Sequence, residues 1–127
     1  MTKKQPVKFW KYSGILLVAT GIFHSVVGIA MGKEYLWGII KAGLINTAKD
    51  DDFATGVAFW FLICGIFIII LGQALHYYIK KERQPAPNLL GYWLLGLGVT
   101  GCIIMPASGF WLFIPQALII LFAKREK

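Results

Sequence analysis

No Asp, Glu, Lys or Arg interrupts the four longest apolar stretches of this 127-residue chain, roughly residues 12–31, 55–79, 89–106 and 109–123. A proton-driven antiporter of the small multidrug type exchanges protons for cations at a membrane carboxylate, so that class is disfavoured. Cysteine is scarce as well. Cys64 and Cys102 both lie inside apolar stretches, with no CxxC pair and no disulfide framework. There is no Ser/His/Asp set, no carboxylate pair and no metal-ligand spacing. His24 and His76 are the only histidines, and nothing around either supplies a nucleophile or an oxyanion partner. The expectation is a protein that is not an enzyme and carries no cofactor and no metal.

What the chain has in excess is apolar residues, at 57% of the total, against about 45–50% in soluble domains. Each apolar stretch is about 15–25 residues, near the length a helix needs to cross about 30 Å of hydrocarbon. The reading is all-α: an integral membrane four-helix bundle in one domain, 1–127, with spans near 10–31, 54–80, 88–106 and 109–123. Ala30-Met31-Gly32 offers a weak small-x-small cleavage site. However, about 18 uncharged residues precede it, longer than a signal h-region, so the first span should be retained.

Charge gives the orientation. The N-terminal arm, the second connection and the tail hold ten of the thirteen cations and two acids, net +8. The other two connections hold Lys33, Lys41 and Lys49 against Glu34, Asp50, Asp51 and Asp52, net −1. Cytoplasmic segments collect Lys and Arg, so both termini should be cytoplasmic, and anionic inner-leaflet lipid is a partner. The net charge of +7 thus reflects topology, not nucleic-acid binding.

Small residues mark the packing faces. Gly21, Ser25, Gly28 and Gly32 recur at helical spacing in the first span. In the third, Gly96 pairs with Thr100 and Gly98 with Cys102, so close helix approach is expected at Gly96 and Gly98. Residues 34–46 read as a short amphipathic interfacial helix in the first outer loop, too polar and too short to span. Trp37 and Ile40 on it would form a lid. In the Lys49–Asp52 run, Asp is expected to cap the second helix.

The remaining polar side chains at membrane depth are the site candidates. At 1.5 Å per residue, His24, Trp60, Cys64 and Gln116 lie about 8–13 Å below the outer boundary. With Trp111 they would line an outward-facing pocket. Pro115 leaves the Trp111 carbonyl without its helical donor, which demands another partner at that depth. His24 and His76 come out about 15 Å apart in depth, too far for two axial ligands of one haem iron.

Gly21-Ile-Phe-His24-Ser-Val-Val-Gly28, Phe59-Trp60-Phe61 with Gly65 and Gly72, and Pro106-Ala-Ser-Gly109-Phe-Trp111 leading into Pro115-Gln116 together resemble a small bacterial four-helix membrane family known as a domain of unknown function. The likeness covers roughly 12–123 and implies the bacterial inner membrane. In helix count and size alone the chain is also similar to DoxX-like proteins, four-helix membrane subunits linked with quinone and sulfur redox chemistry. The functional expectation is binding of a small hydrophobic or amphipathic molecule, such as a lipid or quinone. The alternatives are an accessory or scaffolding subunit acting through helix contacts or homo-oligomerisation, and a small transporter.

Overall fold

The computed structural model describes residues 8–49 and 51–124. Among them there are four α-helices and no strand: α1 Ser13–Lys41, α2 Phe53–Glu82, α3 Asn88–Ile104 and α4 Phe113–Leu121. Short 3-10 turns, Phe9–Tyr12 and Gly109–Leu112, lead into α1 and α4. The stretches Phe9–Lys41 and Phe53–Glu82 are long and apolar enough to cross a membrane, with mean hydropathy of 2.0 and 2.6. Only 28% and 17% of their most apolar windows are buried, unlike the core helix of a soluble protein.

The expected interfacial helix at 34–46 is not a separate element. α1 runs without a break through Gly32 to Lys41. Lys33, Glu34 and Leu36 are good helix formers, and a single glycine costs only about 1 kcal/mol. What ends the helix is Gly43, whose φ is +91°. The Gly43 N–H donates to the Ile40 carbonyl and the Leu44 N–H to the Ile39 carbonyl, at 3.2 and 3.1 Å. These two bonds form a Schellman cap, and glycine enters its left-handed position without a Cβ penalty. Gly43 and Leu44, which fall inside the expected 34–46 helix, are instead the stop signal.

At the start of α2, Asp52 caps the helix. Its carboxylate accepts the Thr55 N–H at 3.1 Å and the Thr55 hydroxyl. These bonds, hydroxyl first, lower the Asp52 pKa from its ordinary value. Asp50 lies outside the described residues. At the other end, Arg83 turns to φ +53° with its N–H on the Ile79 carbonyl at 2.9 Å, and α2 stops. Pro85 and Pro87 prevent continuation.

Contacts divide the chain into two compact units. One comprises Val18–Leu71; the other comprises the chain up to Leu17 together with residues from Gly72 onward. In the first, α1 and α2 meet along a seam of small residues. A Cβ on Gly21 would lie 2.8 Å from the Ile69 backbone nitrogen and 2.9 Å from the Gly65 carbonyl oxygen. Gly32 faces Ala58, and Gly65 lies against Ser25.

In the second unit, Gly14 plays the same part, with the backbone of His76 and the Gly72 carbonyl against its would-be Cβ. α3 presents a different surface. Gly91, Leu94, Gly98 and Gly101 form its buried stripe. Leu121, Ile114 and Phe110 fill the gaps at the three glycines. Gly96 falls off this stripe, exposed, with nothing within 4 Å of a would-be Cβ. The last helix starts later than the expected 109, because the 3-10 turn intervenes. Ser108 accepts the Phe110 N–H, and the Trp111 indole N–H donates to the Pro106 carbonyl at 2.8 Å. Pro115 therefore sits in the first turn of α4, where a missing N–H costs little.

Candidate functional site

Within the Val18–Leu71 unit, the α1–α2 seam opens into a groove. Small residues again account for it. Gly28 and Gly32 on α1, and Ala54 and Ala58 on α2, leave space that Met31, Tyr35, Phe53, Val57 and Phe61 surround. The cavity is about 320 Å³, at the lower end of the range for small-molecule sites. Tyr35 alone brings a polar side-chain group to this wall.

Phe61 is fixed from two directions. Its ring stacks on His24, with centroids 3.9 Å apart and planes 9° from parallel. It also lies over Gly28, where a Cβ would come within 2.6 Å of Cδ1. His24 and Gly28 are one turn apart on α1, so together they form a flat seat for the ring. His24 Nε2 is 3.1 Å from the Phe61 carbonyl oxygen. A carbonyl only accepts, so Nε2 carries the proton in this bond. One residue thus grips another by ring and by backbone. The Ser25 hydroxyl, next to this pair, is buried with no hydrogen-bond partner among the described residues.

The other site candidates fall elsewhere. Trp60 is 62% exposed and Cys64 is exposed, so both face away from the seam. Trp111 is exposed and spends its indole N–H on Pro106. Gln116 is buried, at 7% exposure, in the unit that holds α3 and α4. Trp37 and Ile40 are exposed on the last turns of α1, and Lys41 lies over the Trp37 ring at 5.7 Å. Of the five binding candidates, His24 alone supports the groove, and it does so from behind Phe61. Depth and polarity do not point to the wall residues Tyr35, Phe53, Ala54, Val57, Ala58 and Phe61. The signal that could have found them is the small-residue register shared by Gly28/Gly32 and Ala54/Ala58.

Among the described residues, no three His, Cys, Asp or Glu side chains gather where a metal ion could be held. No curated protein matches the chain, and no solved structure does. A family model matches residues 8–127, which is nearly the whole chain. The protein belongs to that family, DUF6463, a family of unknown function.

Proposed function

We propose that this is a multi-pass protein of the bacterial inner membrane that holds one small hydrophobic or amphipathic molecule and catalyses no reaction. The observation that carries the reading is the apolar groove between α1 and α2, seated on Phe61. A wall with one polar group suits a hydrocarbon tail better than a hydrogen-bonding ring. An acyl or isoprenoid chain therefore fits better than the head of a quinone.

Exposed apolar side chains on the helices support the membrane location. Phe23, Val26, Ile29, Phe67, Ile70, Trp93 and Leu97 are all at least half exposed, and such surface is stable in lipid and a liability in water. The charge split supports cytoplasmic termini. α3, at 17 residues, and Gly109–Leu121, at 13, reach about 25 and 20 Å. Local thinning and snorkelling of Lys124 would accommodate them. Single cysteines at Lys49, Gln84 and Lys124, in a variant lacking Cys64 and Cys102, test this layout. Position 49 should label from outside intact cells; 84 and 124 should not. A tail that labels from outside would leave three spans.

Binding is tested by native mass spectrometry from mild detergent. The wild type should retain a lipid-like mass, and Ala54→Phe, which fills the groove from an exposed wall position, should lose it at unchanged thermal stability. Equal retention by both proteins would remove the groove from consideration. A second reading, an accessory or self-associating subunit, is favoured by Gly96. It is exposed on α3 one turn from exposed Thr100, a small-residue face open to a partner helix.

A further inference from the structure

We propose that a second hollow, walled by Lys8, Lys11, Lys80, Arg83 and Lys124, is a binding site for a phosphate-bearing anion, with the headgroup of an anionic phospholipid as the occupant it fits best. The hollow measures about 900 Å³ and belongs wholly to the unit containing α3 and α4. It shares no residue with the apolar groove, and its phosphate chemistry does not depend on that groove.

The argument begins with charge. The five cations come from the N-terminal arm, the end of α2, the link after it and the tail, with Glu82 as the one carboxylate among them. Like charges drawn together from distant parts of a chain repel, and an anion in their midst offsets that repulsion. Ammonium and guanidinium groups form their strongest hydrogen bonds with phosphate and carboxylate oxygens.

Shape adds to charge. The wall also contains Trp10, Tyr12, Ile15 and Ile79. Charged groups beside aromatic and aliphatic ones match an amphiphile, whose phosphate joins an apolar body. Trp and Tyr take such positions at headgroup level.

The wall is held firmly. Gly14 brings α1 against the backbone of His76, so a side chain there would force the two helices apart. The Ser13 hydroxyl donates to the Trp10 carbonyl at 2.8 Å and holds the 3-10 turn that carries Lys11. Arg83 sits at positive φ, fixed by the Ile79 carbonyl.

A neighbouring residue provides an internal control. Lys81 lies beside Lys80 in sequence, yet its ammonium is 6.0 Å from the Tyr77 ring centroid and it is not part of the wall. Simple attraction of anions to a basic protein end would treat the two lysines alike. A built site would not.

The experiment uses full-length protein in a neutral maltoside, washed free of lipid. Native mass spectrometry follows titration with dihexanoyl phosphatidic acid, dihexanoyl phosphatidylcholine and inorganic phosphate. Phosphatidic acid should bind at least about tenfold more tightly than phosphatidylcholine, and Lys80→Gln/Lys124→Gln should weaken it at least about tenfold, since the loss of even one charge-assisted bond is on that scale. Both side chains are exposed, so the double variant should keep the wild-type thermal transition. Lys81→Gln should change affinity by less than about twofold, as expected for a surface charge outside the site. Inorganic phosphate that binds as tightly as phosphatidic acid would assign the site to a free phosphate, and much weaker binding would assign it to a lipid headgroup; either supports the phosphate site. Equal affinity for the two lipids, no binding of either anionic probe, or a loss in Lys81→Gln equal to that of the double variant would overturn it.

Discussion

The α1–α2 pair and the α3–α4 pair both use glycine, and they use it in opposite ways. Along α1, Gly14 and Gly21 meet backbone, Gly14 at the His76 nitrogen and Gly21 at the Ile69 nitrogen and the Gly65 carbonyl, whereas Gly28 meets the Phe61 ring. Along α3 they meet large side chains: Gly91 receives Leu121, Gly98 receives Ile114 and Gly101 receives Phe110. The first arrangement is a close approach of two main chains, which cannot yield without moving a helix. The second is a row of sockets, where the intruding group has rotamers to change. A buried glycine therefore marks a close approach without saying whether main chain or side chain makes it.

Substitution should separate the two modes, and the largest effect belongs to backbone contact. Gly21→Ala should destabilise the protein by about 3 kcal/mol, the upper part of the range for overpacking, read as thermal or denaturant unfolding in one detergent. No second-site change of a side chain should rescue it. Gly101→Ala should cost about 1–2 kcal/mol, and Phe110→Leu should restore part of that loss by vacating the socket. Rescue of Gly21→Ala by Ile69→Ala, to the same extent, would erase the distinction.

A smaller effect concerns the start of α2. Asp52 has a lowered pKa because Thr55 bonds its charged form. Its contribution is fully present above the unfolded value, near 3.8, and fades as pH falls through the lowered folded value. Asp52→Asn should therefore unfold earlier than wild type at neutral pH, and the gap should close at strongly acidic pH. The smallest change is expected at Gly96. With open space around it, Gly96→Ala should stabilise α3 by up to about 1 kcal/mol through helix propensity. A loss there would mean that a partner helix occupies that face, which would favour the self-association reading.

The sequence announces the helices through uninterrupted apolar length, and it announces the α1 seam through the spacing of Gly21, Ser25, Gly28 and Gly32. It is less informative where a stop signal lies inside an apolar pattern. Gly43 continues the helical spacing of Leu36, Ile39 and Ile40, and only its positive φ reveals it as a cap. The seat of Phe61 is not legible for a simpler reason. His24 bonds a main-chain carbonyl 37 residues away, and every residue owns a carbonyl, so nothing in the residue types points to it. The cations of the second hollow are visible as a charge bias. Their convergence depends on turns at Arg83 and at Trp10 to Tyr12 that side-chain identity does not specify.

The unbroken run of α1 has a mechanical consequence. Met31, Gly32 and Tyr35 form part of the groove, and the same rigid rod continues to Lys41. The end of the helix stands about 14 Å beyond Gly32, at 1.5 Å per residue. A push on that end is not absorbed by a hinge, because none exists between the two points. The exposed tip that carries Trp37 and Lys41 and the groove wall at Gly28 and Gly32 are thus two ends of one continuous helix.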